Sequence, residues 1–233
     1  LEVKIGSLTP QGIAPHELPI DEESNVDKRM DWRFLDLRRP AANLIFRAQT
    51  AFEHGIRSWW VDHEWIEIHT PKLMASASES RAELFEVGYF DTTAYLAQSP
   101  QFFKQMAQPA GFGAVFEIAP AFRADPSFTI RHATEFTSVD AEMSFIDSHD
   151  DVMAMHEAVL SAGISAVVSK YGEAIAASLD IELSVPTTPF PRVSLAEARE
   201  IVKSGGDDIP RQDGDLDPEA ERRLGAHFLE TTG

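Results

Sequence analysis

The segment from Phe116 to Phe145 reads FEIAPAFRADPSFTIRHATEFTSVDAEMSF and sets an arginine, an acid, a second arginine with a histidine, and a phenylalanine at spacings suited to gripping a nucleotide. A nucleotide needs cations on its phosphates and a flat surface for its base. The guanidinium of Arg123 matches phosphate oxygens in a two-pronged fork and keeps its charge, which suits an α-phosphate and the charge that builds there in a transition state. The ring of Phe136 offers a stacking face. Arg131 and His132 could fold over the outer phosphates, and Asp125 could accept from a base amino group or orient Arg123. Arg123 and Asp125, two apart on a strand, leave from one face; Pro126 to Thr134 forms a loop; Phe136, Ser138 and Asp140 project from one face of the returning strand. Two arginines and an aromatic ring on a hairpin serve equally well as surface ion pairs and core packing, and spacing alone does not choose.

A second group lies upstream in LAQSPQFFKQM, Leu96 to Met106. Proline at the first turn starts a helix there, and Gln101 and Lys104, three apart, share a face of it. One supplies an amide and the other a point charge. A cation in such a place suits a carboxylate, and if it is buried an amide in the carboxylate's position leaves the charge unpaired, at a cost of several kcal/mol; a single lysine on a helix reads equally as exposed and inert.

The elements that must position these groups follow from periodicity. Leu44, Ile45, Ala48, Phe52 and Ile56 recur at helical spacing, predicting a helix over Ala41 to Trp60, and Trp65, Ile66 and Ile68 a strand that ends at Thr70-Pro71. Phe85 to Phe90 and Ala94 to Ala97 read as an antiparallel pair, Pro100 to Gln108 as a helix, and Val115 to Phe122 and Glu135 to Ile146 as two long strands. A helix from Ser148 to Tyr171 is expected to bury Val152, Met155, Val159, Ile164 and Val167, and short helices follow at Ser194 to Ser204 and Pro218 to Glu230. Leu1 to Ile5 alternates as a strand before a proline-containing stretch up to Ile20. Helices flanking an antiparallel sheet make an α+β class.

The chain has 233 residues, 43% of them hydrophobic, enough for one substantial core. No run of about 18 apolar residues suggests a membrane span, and LEVKIGSLTP lacks the basic start and apolar centre of a signal peptide. A soluble cytoplasmic protein without a membrane partner is the expectation. With no cysteine, disulfides and thiolate metal sites are excluded. A formal charge of −18 argues against binding nucleic acid through an overall field, so any RNA contact must be local; Lys28 to Arg39 and Arg123 to Arg131 are the main basic concentrations. His54, His63 and His69 have no metal-ligand spacing and read as surface or capping residues. The acidic run DDIPRQDGDLDPEAE lacks the glycine and closing glutamate of a calcium loop in register.

Agreement in order along the chain adds a family resemblance. DKRMDWRFLDLRRP, IEIHTPKL, LAQSPQFFKQM and FRAD followed by RHATEF resemble aspartyl-tRNA synthetases of the archaeal and eukaryotic kind, and FPRVSLAEAREIV and AERRLGAHF continue the likeness. The resemblance implies the class II synthetase fold, incomplete at the C-terminal end where the third motif would lie, with residues 1–20 as the last strand of an anticodon-binding OB barrel and its linker and residues 21–233 as the truncated catalytic domain. It implies ATP-dependent activation of L-aspartate and its transfer to tRNA(Asp), with tRNA(Asn) left open, in a homodimer whose interface includes Pro71. Arg123 would hold the α-phosphate and Phe136 stack on adenine. Gln101 would contact the substrate's backbone groups and Lys104 its β-carboxylate; Glu79, on a closing loop, would meet the ammonium group. Asp140 matches a position near the same ammonium, though on a strand it could equally pair with Arg123 or Lys104. Mg2+ would find its main ligands in the missing third motif. Two departures stand out: Ser80 and Arg81 replace the small residues that usually follow Glu79, and Asp125 replaces a glutamate. A non-catalytic truncated paralogue that dimerises or binds a ligand is the alternative reading.

Overall fold

A computed structural model describes residues 4–12, 17–76, 84–125, 133–203 and 216–232. Its helices are α1 (Val26–Asp31), α2 (Arg33–Asp36), α3 (Pro40–Asp62), α4 (Gln101–Ala107), α5 (His149–Leu179), α6 (Leu195–Lys203) and α7 (Pro218–Thr232). Its strands are β1 (Ile66–Glu67), β2 (Leu73–Met74), β3 (Glu86–Tyr89), β4 (Thr92–Leu96), β5 (Ala114–Phe122) and β6 (Glu135–Met143). Lys4 and Ile5 are not in a strand, so the predicted strand over Leu1 to Ile5 is not formed at its described end.

The long hairpin β5–β6 is the centre of the fold. It is antiparallel over nine residue pairs, from Ala114 opposite Met143 to Phe122 opposite Glu135. β1 adds to β5 in parallel, Ile66 beside Val115, so this sheet is mixed where a purely antiparallel one was expected. A second, antiparallel sheet has the order β2-β4-β3. The two sheets are joined through Ala97, whose N–H donates to Lys72 O and whose carbonyl accepts from Phe122 N–H, both at 3.0 Å.

Directly opposite residues in an antiparallel pair share a face. Phe116 and Ile118 of β5, with Ala141 of β6, turn toward the helices and pack with Ile56, Trp60 and Val159; the Trp60 and Phe116 rings stack with centroids 4.5 Å apart. Val115, Glu117, Ala119 and Ala121, with Glu142, Ser138, Phe136 and Asp140, occupy the other face. The hairpin therefore has an apolar side for the core and a polar side for chemistry.

Helices α3 and α5 cover the apolar side and pack along each other, with Leu44, Ala51, Val167 and Ile175 as a further buried cluster. α5 is the one helix among the described residues long and apolar enough to cross a membrane, with mean hydropathy 1.5 over an 18-residue window. Its buried Val159, Val167 and Ile175 pack against residues of α3, while its buried Glu157 accepts from Arg192 at 3.2 Å. Two residues of the expected helical stripes, Ile45 and Val152, are instead exposed: helical spacing keeps them in line with the buried residues, but each stands in the first two turns of its helix. α5 also runs eight residues past the predicted end at Tyr171 and stops at Asp180, whose left-handed backbone (φ 56°) terminates it.

Close approach of the two helices depends on glycine at Gly55. A Cβ there would lie 2.8 Å from Ala166 Cβ and 2.9 Å from the Ala162 carbonyl oxygen. Alanine gains about 1 kcal/mol of helix propensity over glycine, but overpacking against a backbone that cannot turn aside costs about 1–3 kcal/mol. Gly55→Ala is expected to lower the denaturant midpoint of unfolding; a raised midpoint would mean that the helices separate freely.

Before α3, Asn25 caps α1 by accepting from Lys28 N–H at 2.9 Å. Asp36 at the end of α2 is fully buried and bonded to Arg29 (2.8 Å), Arg33 and Arg39 (3.5 Å). The hydrogen bond from Arg29 comes first among the causes that hold the Asp36 carboxyl below the usual carboxylate range. This knot of charge fixes the chain's entry into α3.

Candidate active site

The polar face of the hairpin meets α4, which is aimed by the strip Ala97 to Pro100 leading out of β4. Pro100 stands at the N-terminus of α4 and its carbonyl accepts from Lys104 N–H at 3.0 Å. After one further turn the helix passes into a π-helical turn over Gln108–Phe112, where Gly111 has φ 92°. Gln108 ties that turn to the hairpin: its side-chain oxygen accepts from Ser144 Oγ at 2.5 Å.

Lys104 is 4% exposed. Its Nζ donates to Asp140 Oδ1 at 3.1 Å and to the Ala141 carbonyl at 3.4 Å, and lies 3.7 Å from Glu142 Oε2. Gln101 Nε2 donates to the same Glu142 oxygen at 3.4 Å, and Ser138 Oγ donates to Asp140 Oδ2 at 2.5 Å. Burying an ammonium is tolerable only when it is paired and hydrogen-bonded, and here two carboxylates answer one cation. The sequence left Asp140 between Arg123 and Lys104; it is bonded to Lys104.

Glu142 was not singled out from sequence, although it stands two residues beyond Asp140 and must share its face. Gln98, 1% exposed, and Glu117, also 1% exposed, are further buried polar groups on this side that local pattern did not mark. Glu117 interrupts the apolar run VFEIAPAF, and that interruption was the available signal.

At the far end of the same hairpin, Arg123 follows β5 and its N–H donates to Thr134 O at 3.0 Å, closing the ladder. The Arg123 guanidinium carbon lies 5.7 Å from the centroid of the Phe136 ring, within cation–π reach, so the two groups share one compartment. Asp125, two residues on, is half-buried. Pro71 is exposed on the turn after β1, where Thr70 and Lys72 are held from beneath by Glu117. Arg131, His132 and Glu79, with Ser80 and Arg81, lie outside the described residues.

The histidines behave as expected from their spacing. His54, His63 and His69 are exposed, and His63 follows the last turn of α3, its Nδ1 2.6 Å from Trp59 O and its ring stacked on Trp59. Among the described residues no three carboxylate or imidazole side chains converge on a point.

Residues 25–230 match the family of the class II tRNA synthetases (D, K and N). The chain belongs to that family. It is 42% identical over 224 residues to an aspartate–tRNA(Asp) ligase of Thermoplasma acidophilum, covering 95% of this chain and 52% of that protein. It is 43% identical over 217 residues to an aspartate–tRNA(Asp/Asn) ligase of Methanopyrus kandleri, covering 91% and 50%. Among solved structures, the asparaginyl-tRNA synthetase of Pyrococcus horikoshii complexed with asparaginyl-adenylate superposes with a TM-score of 0.82 at 32% identity, over 92% of this chain and 50% of that one. The aspartyl tRNA synthetase of Entamoeba histolytica gives 0.72 at 29% identity, over 95% and 41%. The class II α+β fold is thus shared, and the chain spans about half the length of the curated relatives it matches.

Proposed function

We propose that this chain is the central part of the catalytic domain of an aspartate–tRNA ligase, which activates L-aspartate with ATP and esterifies it to tRNA. The observation that carries the reading is the buried ammonium of Lys104, which α4 presses against the same hairpin face that bears Arg123 and Phe136. An ammonium has three N–H donors. Asp140 and the Ala141 carbonyl take two of those of Lys104, and the third is suited to a substrate side-chain carboxylate. The surplus acid of Asp140 and Glu142 suits the ammonium group of the same amino acid, and Gln101 its backbone atoms. Glu79 would close over that ammonium from its loop.

Along the hairpin, Phe136 would stack on adenine, with Asp125 near its amino group. Arg123 would hold the α-phosphate, and Arg131 and His132 the outer phosphates. The aspartate α-carboxylate, already ionised, attacks the α-phosphorus in line: a carboxylate oxygen–phosphorus bond forms, the bond to the bridging oxygen breaks, and pyrophosphate leaves. No protein base is needed. Arg123 withdraws the charge that gathers on the α-phosphoryl oxygens, an interaction that strengthens in the transition state. A ribose hydroxyl of the tRNA then takes the aspartyl group and AMP departs.

The same reading assigns Pro71, with the exposed apolar residues Ile45, Val61, Ile66 and Leu73, to the interface of a homodimer. It places residues 1–20 at the end of an anticodon-binding domain and its linker, and the protein in the cytoplasm. Mg2+ would be held by residues outside those described.

ATP–pyrophosphate exchange on the full-length protein tests the reading. Exchange should depend on aspartate and be weaker with asparagine by a factor of at least about 100, because the neutral amide of asparagine brings Lys104 no countercharge and turns N–H donors into a site built for a carboxylate. Equal exchange with both amino acids, or none with aspartate, would sink it. Charging of tRNA(Asp) and tRNA(Asn) transcripts decides whether one tRNA or both are substrates.

A further inference from the structure

Glu117 is a buried carboxylate for which the chemistry above has no use. It sits on the polar face of β5 directly opposite Asp140 of β6. Like charges in that relation repel, and each has its own lysine: Lys72 Nζ is 3.0 Å from Glu117 Oε1, and Lys104 Nζ is 3.1 Å from Asp140 Oδ1. Glu117 also accepts from the Thr70 N–H at 2.7 Å and from the Thr70 hydroxyl at 2.8 Å, while Lys72 Nζ donates to that hydroxyl at 2.9 Å.

β5 does not need these bonds to stay in place, since β1 and β6 pair with it on its two sides. The turn Thr70-Pro71-Lys72 does need them. It lies between β1 and β2, which are two residues long each, and a carboxylate beneath it satisfies one backbone donor, one hydroxyl and one ammonium. From the turn the chain of contacts goes to the site. Lys72 O accepts from Ala97 N–H, and Ala97 opens the strip Gln98-Ser99-Pro100 that sets where α4, and with it Gln101 and Lys104, begins.

We propose that Glu117 is a positioning residue for the amino-acid pocket: through the 70–72 turn and Ala97 it fixes the register of Gln101 and Lys104 against Asp140 and Glu142. This rests on the aspartate reading of that pocket. The nucleotide side meets this relay only through the Phe122 N–H on the Ala97 carbonyl and is otherwise held by the β5–β6 ladder and the Arg123–Thr134 bond, so a loosened turn acts far more on one substrate than on the other.

The test is aspartate-dependent ATP–pyrophosphate exchange by the full-length protein, with KM read for each substrate. Glu117→Gln keeps an acceptor for Thr70 but drops the charge facing Lys72; it should raise the KM for aspartate about tenfold and leave the KM for ATP within about twofold. Thr70→Val, which removes one hydroxyl donor and leaves the backbone bond to Glu117, should raise the same KM roughly threefold. It also serves if Glu117→Gln does not fold. An unchanged KM for aspartate in the folded variants, or an equal rise for both substrates, overturns the proposal while the aspartate reading stands. A wild-type protein without aspartate-dependent exchange removes both.

Discussion

Full-length protein carrying Arg123→Ala should lose ATP–pyrophosphate exchange by a factor on the order of 10³ while folding as the wild type does. The size follows from what the guanidinium is asked to supply. Donors aimed at charge that develops in a transition state are worth about 10²–10³ when a single one is removed, and arginines on a transferring phosphoryl group reach about 10³–10⁵. Arg123 supplies a charged fork, which places the expectation between those ranges. Its loss should scarcely touch the fold. Arg123 is exposed, just beyond the last paired residue of β5, and its contact with the Phe136 ring is worth about 0.5–1 kcal/mol at such a site. Arg123→Lys keeps the charge without the two-pronged geometry and should recover only part of the activity. Initial-rate exchange at saturating aspartate and ATP, with a thermal melt of each variant, separates the outcomes. Wild-type exchange in a folded Arg123→Ala protein would refute the nucleotide assignment for the whole hairpin.

What was legible in the chain follows the range over which each signal acts. The hairpin could be read because VFEIAPAF and EFTSVDAEM are strand-forming runs on either side of Pro126, and alternation alone puts Phe136, Ser138 and Asp140 on one face. Helical spacing likewise put Gln101 and Lys104 together. It could not name the partner of Lys104, because Asp140 is brought there by a strand pairing thirty-six residues along the chain. Glu117 was missed for the same reason: a single charge in an apolar run looks like an exposed position until Thr70 and Lys72 are folded over it. The short helices α1 and α2 were left unassigned, though Asn25 is a usable cap, since what makes them stable is a tertiary knot of three arginines on Asp36. In α5, Gly172 lies inside the helix, and the alanine-rich turn after it carries the helix on to Asp180. Ile45 is in line with the buried Ile56 along α3 yet exposed near the helix start, and local spacing could not show which end of that stripe the fold leaves open.

Lys104→Ala should turn the amino-acid pocket against its substrate more than it harms the nucleotide site. Two losses combine. The substrate β-carboxylate loses its cation, and it must now approach Asp140 and Glu142 with nothing to offset them; a site built around a charged, hydrogen-bonded partner discriminates by about 10⁴–10⁵ when that partner is missing. An increase of about 100-fold or more in the KM for aspartate is the expected result, with the KM for ATP nearly unchanged. Asparagine, which never had the benefit of that charge, should lose much less, so the preference for aspartate narrows. Stability must fall as well, since removing one side of a buried ion pair and leaving the other typically costs about 3–5 kcal/mol. Lys104→Ala, Asp140→Asn should restore part of that stability, because it removes one of the stranded charges, yet it should not restore aspartate binding. That split distinguishes a residue that merely holds the hairpin against α4 from one that reads the substrate. Exchange with aspartate and with asparagine, run beside urea melts of the single and double variants, measures it. A double variant that regained both stability and aspartate affinity would show that Lys104 acts only as the counterion of Asp140.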